Sequence, residues 1–381
     1  MAFESRFARF DHVKWSGLFL VLALCSCQSD RQQTSRKSKL ERIEVAPNQP
    51  EFIRVPSNQV FHPWGLNYGN HGRLMEDFWD TEWQTIADDF AEMRALGANV
   101  VRVHLQFGRF MKTPSEPNKG ALAKLRELVR LAERIGIYLD ITGLACYRPK
   151  DVPAWYDEMD EPARWDAQAN FWEAVAEACA NSPAVFCYDL INEPISPGQR
   201  REPAKWPSGS LFGGYDFLQY IALEPAGRKR EEIAAAWIKR MTAAIREHDK
   251  QTLITVGLLP WSRQWKHLSG FLPDKIAPEL DFISVHIYPD TKKPGEALEA
   301  LERVSVGKPV VIEETFPLSC GAAELENFLR ESRTIACGWI GHYDGQSLDE
   351  LDSLDRAGKL SIAQSIYRAW LRMFFRLAGE F

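Results

Sequence analysis

Long apolar runs are scarce in this chain of 381 residues. The most sustained one near the start, GLFLVLAL at residues 17 to 24, is too short to cross a bilayer. Cysteine is sparse too, with seven in all: Cys25 and Cys27 beside that run, then Cys146, Cys179, Cys187, Cys320 and Cys337 spread through the body. Such irregular spacing excludes a disulfide framework. A helical pattern of about 14 residues lies between Cys320 and Cys337 and would hold them roughly 20 Å apart, beyond bonding reach. The body cysteines are therefore read as small buried hydrophobes. CxxC, HxH and HExxH spacings are all missing, so no metal is expected. No GxGxxG turn or phosphate loop follows any strand pattern, which removes the usual nucleotide cofactors, and no cofactor of any kind is expected. There is no basic stripe, and the net charge of −6 argues against nucleic acid as a partner. What is abundant is hydrophobic residues at 45% and charged ones at 26%, the mixture of a globular protein with a large core.

Arg6, Arg9 and Lys14 precede the short apolar run, the charged-then-apolar layout of an export signal. The LCSC that follows resembles a bacterial lipoprotein processing box, although Cys25 stands where alanine or serine is usual. On that reading Cys27 becomes the lipidated mature N-terminus; an ordinary cleaved signal is the alternative. A single acylated cysteine anchors without spanning, and the polar run QSDRQQTSRKSK would be a tether. The expected plan is a signal over 1–27, a flexible polar linker over 28–50 and one catalytic domain over 51–381. Export toward the periplasm or cell surface is expected, with membrane contact only through the anchor. Oligomeric state stays open.

From residue 60 onward short apolar runs alternate with longer amphipathic ones. PWGLNY (63–68), NVVRVHL (99–105), YLDITGL (138–144), VFCYDLIN (185–192), TLITVGL (252–258), DFISVHIY (281–288), PVVIEE (309–314) and CGWIGHY (337–343) read as strands. Helical patterns fall near 82–96, 121–135, 165–180, 229–248, 295–305, 321–335 and 361–377, with Gly97 and Gly136 as C-terminal caps. After the fifth strand, SGFLPDKIAPEL offers only a short, proline-interrupted helix. Eight strands alternating with about eight helices is the arithmetic of an α/β fold of the (β/α)8, or TIM-barrel, type. No internal repeat or second domain boundary is visible. The long stretch 195–228 shows no clear regular element and could wall a cleft.

In such a barrel, function gathers at the carboxyl ends of the strands. There the fourth strand delivers Asn192 and Glu193 and stops at Pro194. On the second strand Val100, Arg102 and His104 share a face, and on the sixth Ser284, His286 and Tyr288 do. On the seventh, Val310, Ile312 and Glu314 align, which leaves Glu313 facing the helices or the rim. The mouth thus collects Arg102, Asn192, Glu193, His286, Tyr288 and Glu314, together with Trp339 or His342 from the eighth strand. Charges of this kind are costly to bury unless they pair. Two carboxylates across a polar mouth are the equipment of a glycosidase, retaining at a separation of about 5 Å and inverting at 6.5 Å or more.

The order of these strand ends resembles the clan A retaining glycoside hydrolases, most closely glycoside hydrolase family 5, the cellulase and mannanase family. VVRVHL, LINEP, SVHIYP and KPVVIEE carry the resemblance, which runs from about Pro63 to Tyr343. It implies double displacement on the β-glycosidic bonds of a polysaccharide or oligosaccharide. Glu193 would be the general acid/base and Glu314 the nucleophile. Asn192 would bind the sugar 2-hydroxyl, Arg102 would keep Glu314 ionised, Tyr288 would hydrogen-bond Glu314, and His286 would stand near the acid/base. The chain departs from the family pattern at strand three, which reads DITGL without a histidine. Thr315 and Phe316 follow Glu314 instead of an aromatic and a glycine, and the usual strand-eight tryptophan aligns nearer His342 than Trp339.

Blander readings stand beside these. Glu193 could be a solvated loop residue, Glu313 rivals Glu314 as nucleophile, Arg102 could bridge layers of the core, and His286 could be a satisfied core histidine. His104 is read as core or as support for the site. Trp155, Trp206, Trp261 and Trp265 could stack on sugars or pack loops onto the barrel. A non-catalytic carbohydrate-binding barrel is the alternative function. A barrel acting on phosphorylated metabolites lacks the glycine-rich cradle it would need. The identity of the sugar, and endo against exo action, are left open.

Overall fold

The computed structural model describes residues 40–209, 213–261, 263, 266 and 269–381. Cys27, the signal over 1–27 and the whole tether over 28–39 lie outside them.

The eight apolar runs become eight strands of a closed parallel barrel: Trp64–Gly69, Val100–Gln106, Tyr138–Ala145, Val185–Asn192, Leu253–Leu258, Ile283–His286, Val310–Glu314 and Gly338–Asp344. They pair in chain order, and the eighth closes on the first with Trp339 beside Trp64 and His342 beside Asn67. The expected (β/α)8 fold is therefore present. Outside the barrel lie α1 (Trp83–Ala95), α2 (Lys119–Ile135), α3 (Glu161–Cys179), α4 (Arg230–His248), α5 (Glu296–Val304), α6 (Ala322–Ser332), α7 (Leu348–Arg356) and α8 (Ile362–Leu377). α2 shows why the amphipathic pattern is readable. Leu122, Leu125, Leu128, Val129 and Ala132 recur at helical spacing and are buried, Asn118 caps the Gly120 N–H, and Gly136 ends the helix at positive φ. After the fifth strand only Pro273–Ile276 and a turn of 3₁₀ helix are found among the described residues, in keeping with the prolines there.

Two expectations change. The stretch 195–228 does hold a regular element, since Pro194–Ile195 pairs in parallel with Gln219–Tyr220 and pins the two ends of the loop together. The linker boundary at residue 50 falls inside a small sheet, because Arg42–Val45 pairs with Phe52–Val55, which pairs with Val60–Phe61. That sheet floors the barrel. Phe52 packs edge-on against Phe186 and Phe282 at 5.2 and 5.1 Å, and Phe61 packs against Tyr138. Ile43, Val100, Leu253, Val311 and Ile340 complete this closed end, so the polar interior opens only at the opposite rim. Cys146, Cys179, Cys187 and Cys337 are free and buried as expected, whereas Cys320 is only partly so.

Candidate active site

Arg102 is the hub. It points inward from the second strand, is fully buried, and reaches three others, the first, fourth and seventh. Nη1 donates to Glu314 at 2.6 Å and to Asn67 Oδ1 at 2.9 Å; Nη2 donates to Asp189 at 2.7 Å and to Asn192 Oδ1 at 3.0 Å. A guanidinium suits this task because its planar fork stays charged and serves several acceptors at once.

Glu193 and Glu314 meet at the rim. One carboxylate oxygen of each lies within 4.8 Å of the other and of a ring nitrogen of His286. The strand that carries Glu193 must twist to bring this about. Its register against the fifth strand shifts between Asp189 and Asn192, and Glu193 itself adopts a left-handed φ of 46°. A non-glycine residue held there is under strain, and Pro194 then turns the chain out into the loop. His286 Nδ1 lies 3.0 Å from Glu193 Oε1. The Tyr288 hydroxyl donates to Glu314 Oε2 at 2.7 Å and lies 3.0 Å from His342 Nε2. Burial would raise the Glu314 carboxyl, but the neighbouring His286 and Arg102 outweigh it and hold it well below the usual carboxylate range. Burial would likewise lower His286, yet Glu314, Glu193 and Glu313 push it up to about 10. His104 and His342 are kept neutral by burial, with Arg102 adding to the effect at both.

Of the expected residues, Arg102, Asn192, Glu193, His286, Tyr288, Glu314 and His342 come together. Trp339 does not. Its indole packs behind the eighth strand, donates to Ser332 Oγ of α6 at 2.8 Å and meets Phe381 edge-on, so His342 takes the rim position. Strand alternation also misplaces Glu313. It does not face the helices: its carboxylate lies inside the barrel beneath Glu314, fully buried, accepting from Ser284 Oγ at 3.0 Å and lying 3.4 Å from His286 Nε2. A register shift between Val285 and His286 marks where the sixth and seventh strands leave regular pairing, and it lets Glu313 and Glu314 serve one site at two depths. Trp206 is buried in its loop, donating to the Asp157 carbonyl at 3.0 Å beneath Arg164. Trp155 packs on Phe107, Trp261 lies under Arg303, and Trp265 lies outside the described residues.

Sequence reasoning misses several contributors. Asn67 lies within the first strand and ties the backbone of Glu313 and of Gly341 to Arg102. His104 bonds Tyr147 at 2.5 Å, and Tyr147 packs on Phe217. Tyr215, from the same loop as Phe217, reaches the Gly72 carbonyl beyond the first strand, so the 213–220 segment walls the mouth along strands one to four. Asp189 and Asp140 interrupt apolar strands, a signal of inward-facing barrel positions that is available in YLDIT and CYDL. Asp189 accepts from Arg102, Thr142 and the Gly257 N–H, each at 2.7 Å, three donors that favour its carboxylate form against the burial that raises it. Asp140, Asp189 and Glu313 lie within 4.8 Å of one another, as a metal would require. The Arg102 guanidinium, 2.7 Å from Asp189 and 3.6 Å from Glu313, already supplies their cation.

The family model of cellulase, glycosyl hydrolase family 5, matches residues 65–318. The chain belongs to that family. It is a glycoside hydrolase. An exo-β-1,4-mannosidase from Opitutaceae bacterium strain TAV5 superposes with a TM-score of 0.65 at 18% identity, over 88% of this chain and 62% of its own. An endo-1,4-β-mannanase from Eisenia fetida gives 0.60 at 14% identity over 89% of this chain and 96% of its own. A GH5_18 protein from Bifidobacterium longum subsp. longum, solved with Manβ1-4GlcNAc, also gives 0.60 at 14%, over 84% and 78%. No curated protein sequence matches the chain.

Proposed function

We propose that this hydrolase works by double displacement with retention of configuration, Glu314 attacking the anomeric carbon and Glu193 acting first as acid and then as base. The observation that carries the reading is that one oxygen of each carboxylate lies within 4.8 Å of the other, in keeping with the roughly 5 Å of retaining pairs. Arg102 and the Tyr288 hydroxyl each take one oxygen of Glu314, which keeps it anionic and fixes its attack trajectory. Glu193, hydrogen-bonded on one oxygen to His286, offers the other to the glycosidic oxygen. Asn192, its carbonyl held by Arg102, turns its amide group toward the Phe217 carbonyl at the mouth, where a sugar hydroxyl would compete for it.

β-1,4-Linked mannosides are the substrate class to test first, since enzymes of the same fold act on them. Replacing Glu193 or Glu314 by glutamine lowers kcat by about three orders of magnitude on whichever member of a panel of defined β-glycans is cleaved. Unchanged turnover in both variants contradicts the assignment. Export and anchoring through Cys27 are proposed from the sequence alone; incorporation of a labelled fatty acid that is lost in Cys27→Ala tests them.

A further inference from the structure

Below the catalytic pair lie two acids, Glu313 and Asp140, that the double displacement does not use. Glu193, His286, Glu313 and Asp140 follow one another down the barrel axis. His286 Nδ1 is 3.0 Å from Glu193, its Nε2 is 3.4 Å from Glu313, and the Glu313 and Asp140 carboxyls lie within 4.8 Å. Both oxygens of Asp140 are buried and have no hydrogen-bond partner, although the oxygens of Asp189 and Glu313 approach them. An ionised Asp140 would be an anion facing two other anions, with the weakly donating Cys187 thiol turned toward it. A protonated Asp140 becomes a further donor to Glu313, beside Ser284 Oγ.

The geometry points to Asp140 as a neutral carboxylic acid that donates to Glu313, so that the Glu313 carboxylate holds His286 as an imidazolium and His286 in turn positions Glu193. Asp140 and Glu313 are then positioning residues, not catalytic ones, and Glu313 is not a second nucleophile. A doubly protonated His286 can only donate. It therefore fixes Glu193 Oε1 as an acceptor and leaves Oε2 to carry the transferable proton. A neutral His286 could present Nδ1 as an acceptor and draw that proton away from the substrate.

Protonating Asp140 brings the cluster nearer to balance: with Glu193 also holding its proton as the acid, three carboxylates, Asp189, Glu313 and Glu314, are left to the cations Arg102 and His286. Asp140, Asp189, Glu193, Glu313 and Glu314 face just two cations, Arg102 and His286, within the cluster. Facing His286 are Glu193 from the fourth strand, Glu313 and Glu314 from the seventh, Arg102 and His104 from the second, and His342 from the eighth. Facing Asp140 are Glu313, Asp189, Arg102 and the Cys187 thiol. Burial, then the charge of Glu313, push Asp140 well above the usual carboxyl range against the opposing pull of Arg102. Gly257 of the fifth strand makes room for the line, since a Cβ there would sit 2.8 Å from both Glu313 Oε2 and His286 Nε2.

The experiment follows the protons. In the full-length protein, the His286 ring is assigned in NMR spectra by its loss in His286→Gln and titrated. Glu313→Gln removes the counter-ion, and the His286 midpoint falls by at least about one pH unit. Asp140→Asn keeps a donor and removes no charge, so the midpoint moves by less than about 0.3 unit. Infrared difference spectra at neutral pH supply the second arm: a protonated-carboxyl band present in the wild type disappears in Asp140→Asn. An unmoved His286 in Glu313→Gln, a fall of about one unit in Asp140→Asn, or the absence of the infrared band overturns the proposal. If Glu313→Gln does not fold, the Asp140→Asn titration and the infrared band still decide. The kinetic arm rests on the proposed double displacement, with Glu313→Gln lowering kcat about tenfold at little change in KM. The spectroscopic arms do not depend on it, so the two readings fail separately.

Discussion

At the scale of single residues, the behaviour of the site follows from Arg102. It is the one cation shared by Asp189, Glu313 and Glu314, and it is fully buried. Arg102→Met leaves three carboxylates without their partner and costs about 3–5 kcal/mol of folding stability, read by chemical denaturation. Arg102→Lys does not recover it, because a point charge cannot serve four acceptors through a planar fork. His286 gives a pH dependence of definite sign. Its folded pKa of about 10 lies above that of an unfolded histidine. Its contribution to stability is therefore complete below about pH 6.5 and is lost as pH rises toward that folded value. The stability gap between wild type and His286→Gln should narrow over that interval; a gap that widens contradicts the charged state.

Most of these residues are legible in the sequence because a barrel rim selects for them. A polar side chain at the end of an apolar strand adds nothing to a hydrophobic core, so Arg102, Asn192, Glu193, His286, Tyr288 and Glu314 all stand out. Trp339 and Glu313 are misplaced for a common reason: which way a side chain faces depends on register, and the inward set is fixed by shear and bulges around the closed sheet. Asp140 and Asp189 hide inside apolar runs, although a charge inside such a run is itself the mark of a polar barrel interior.

Among the elements, the turn at Glu193 and the close approach at Gly257 matter most. Gly257 lets the fifth strand pass tightly against Glu313 and His286, so a methyl group there must displace one of them. Gly257→Ala is expected to lower kcat/KM by about two orders of magnitude while the barrel still folds, measured as kinetics beside circular dichroism. Full activity in that variant would show that the inner cluster tolerates displacement. Helices such as α2 are readable from periodicity and caps alone. The short connection after the fifth strand is readable from its prolines, whereas the pairing of Pro194–Ile195 with Gln219–Tyr220 is not, since two-residue strands carry no periodicity.

At the scale of the whole molecule, the barrel is closed at one end and reactive at the other. The floor sheet, whose first strand falls in the span read as flexible linker, is hidden because strands of two to four residues in a polar stretch leave little pattern. Its Phe52 fills the space between Phe186 and Phe282. Phe52→Ala should therefore cost about 3–5 kcal/mol in denaturant unfolding and leave the rim chemistry unchanged in the folded fraction. A loss below about 1 kcal/mol would mean that the sheet is dispensable to the barrel. The central claim concerns the opposite end, where two acids from the fourth and seventh strands act on one anomeric carbon. Its most direct test is proton NMR of the first-formed product from a β-linked substrate, recorded before mutarotation. The β-anomer appearing first is the result expected from a covalent intermediate on Glu314, and the α-anomer appearing first would contradict it.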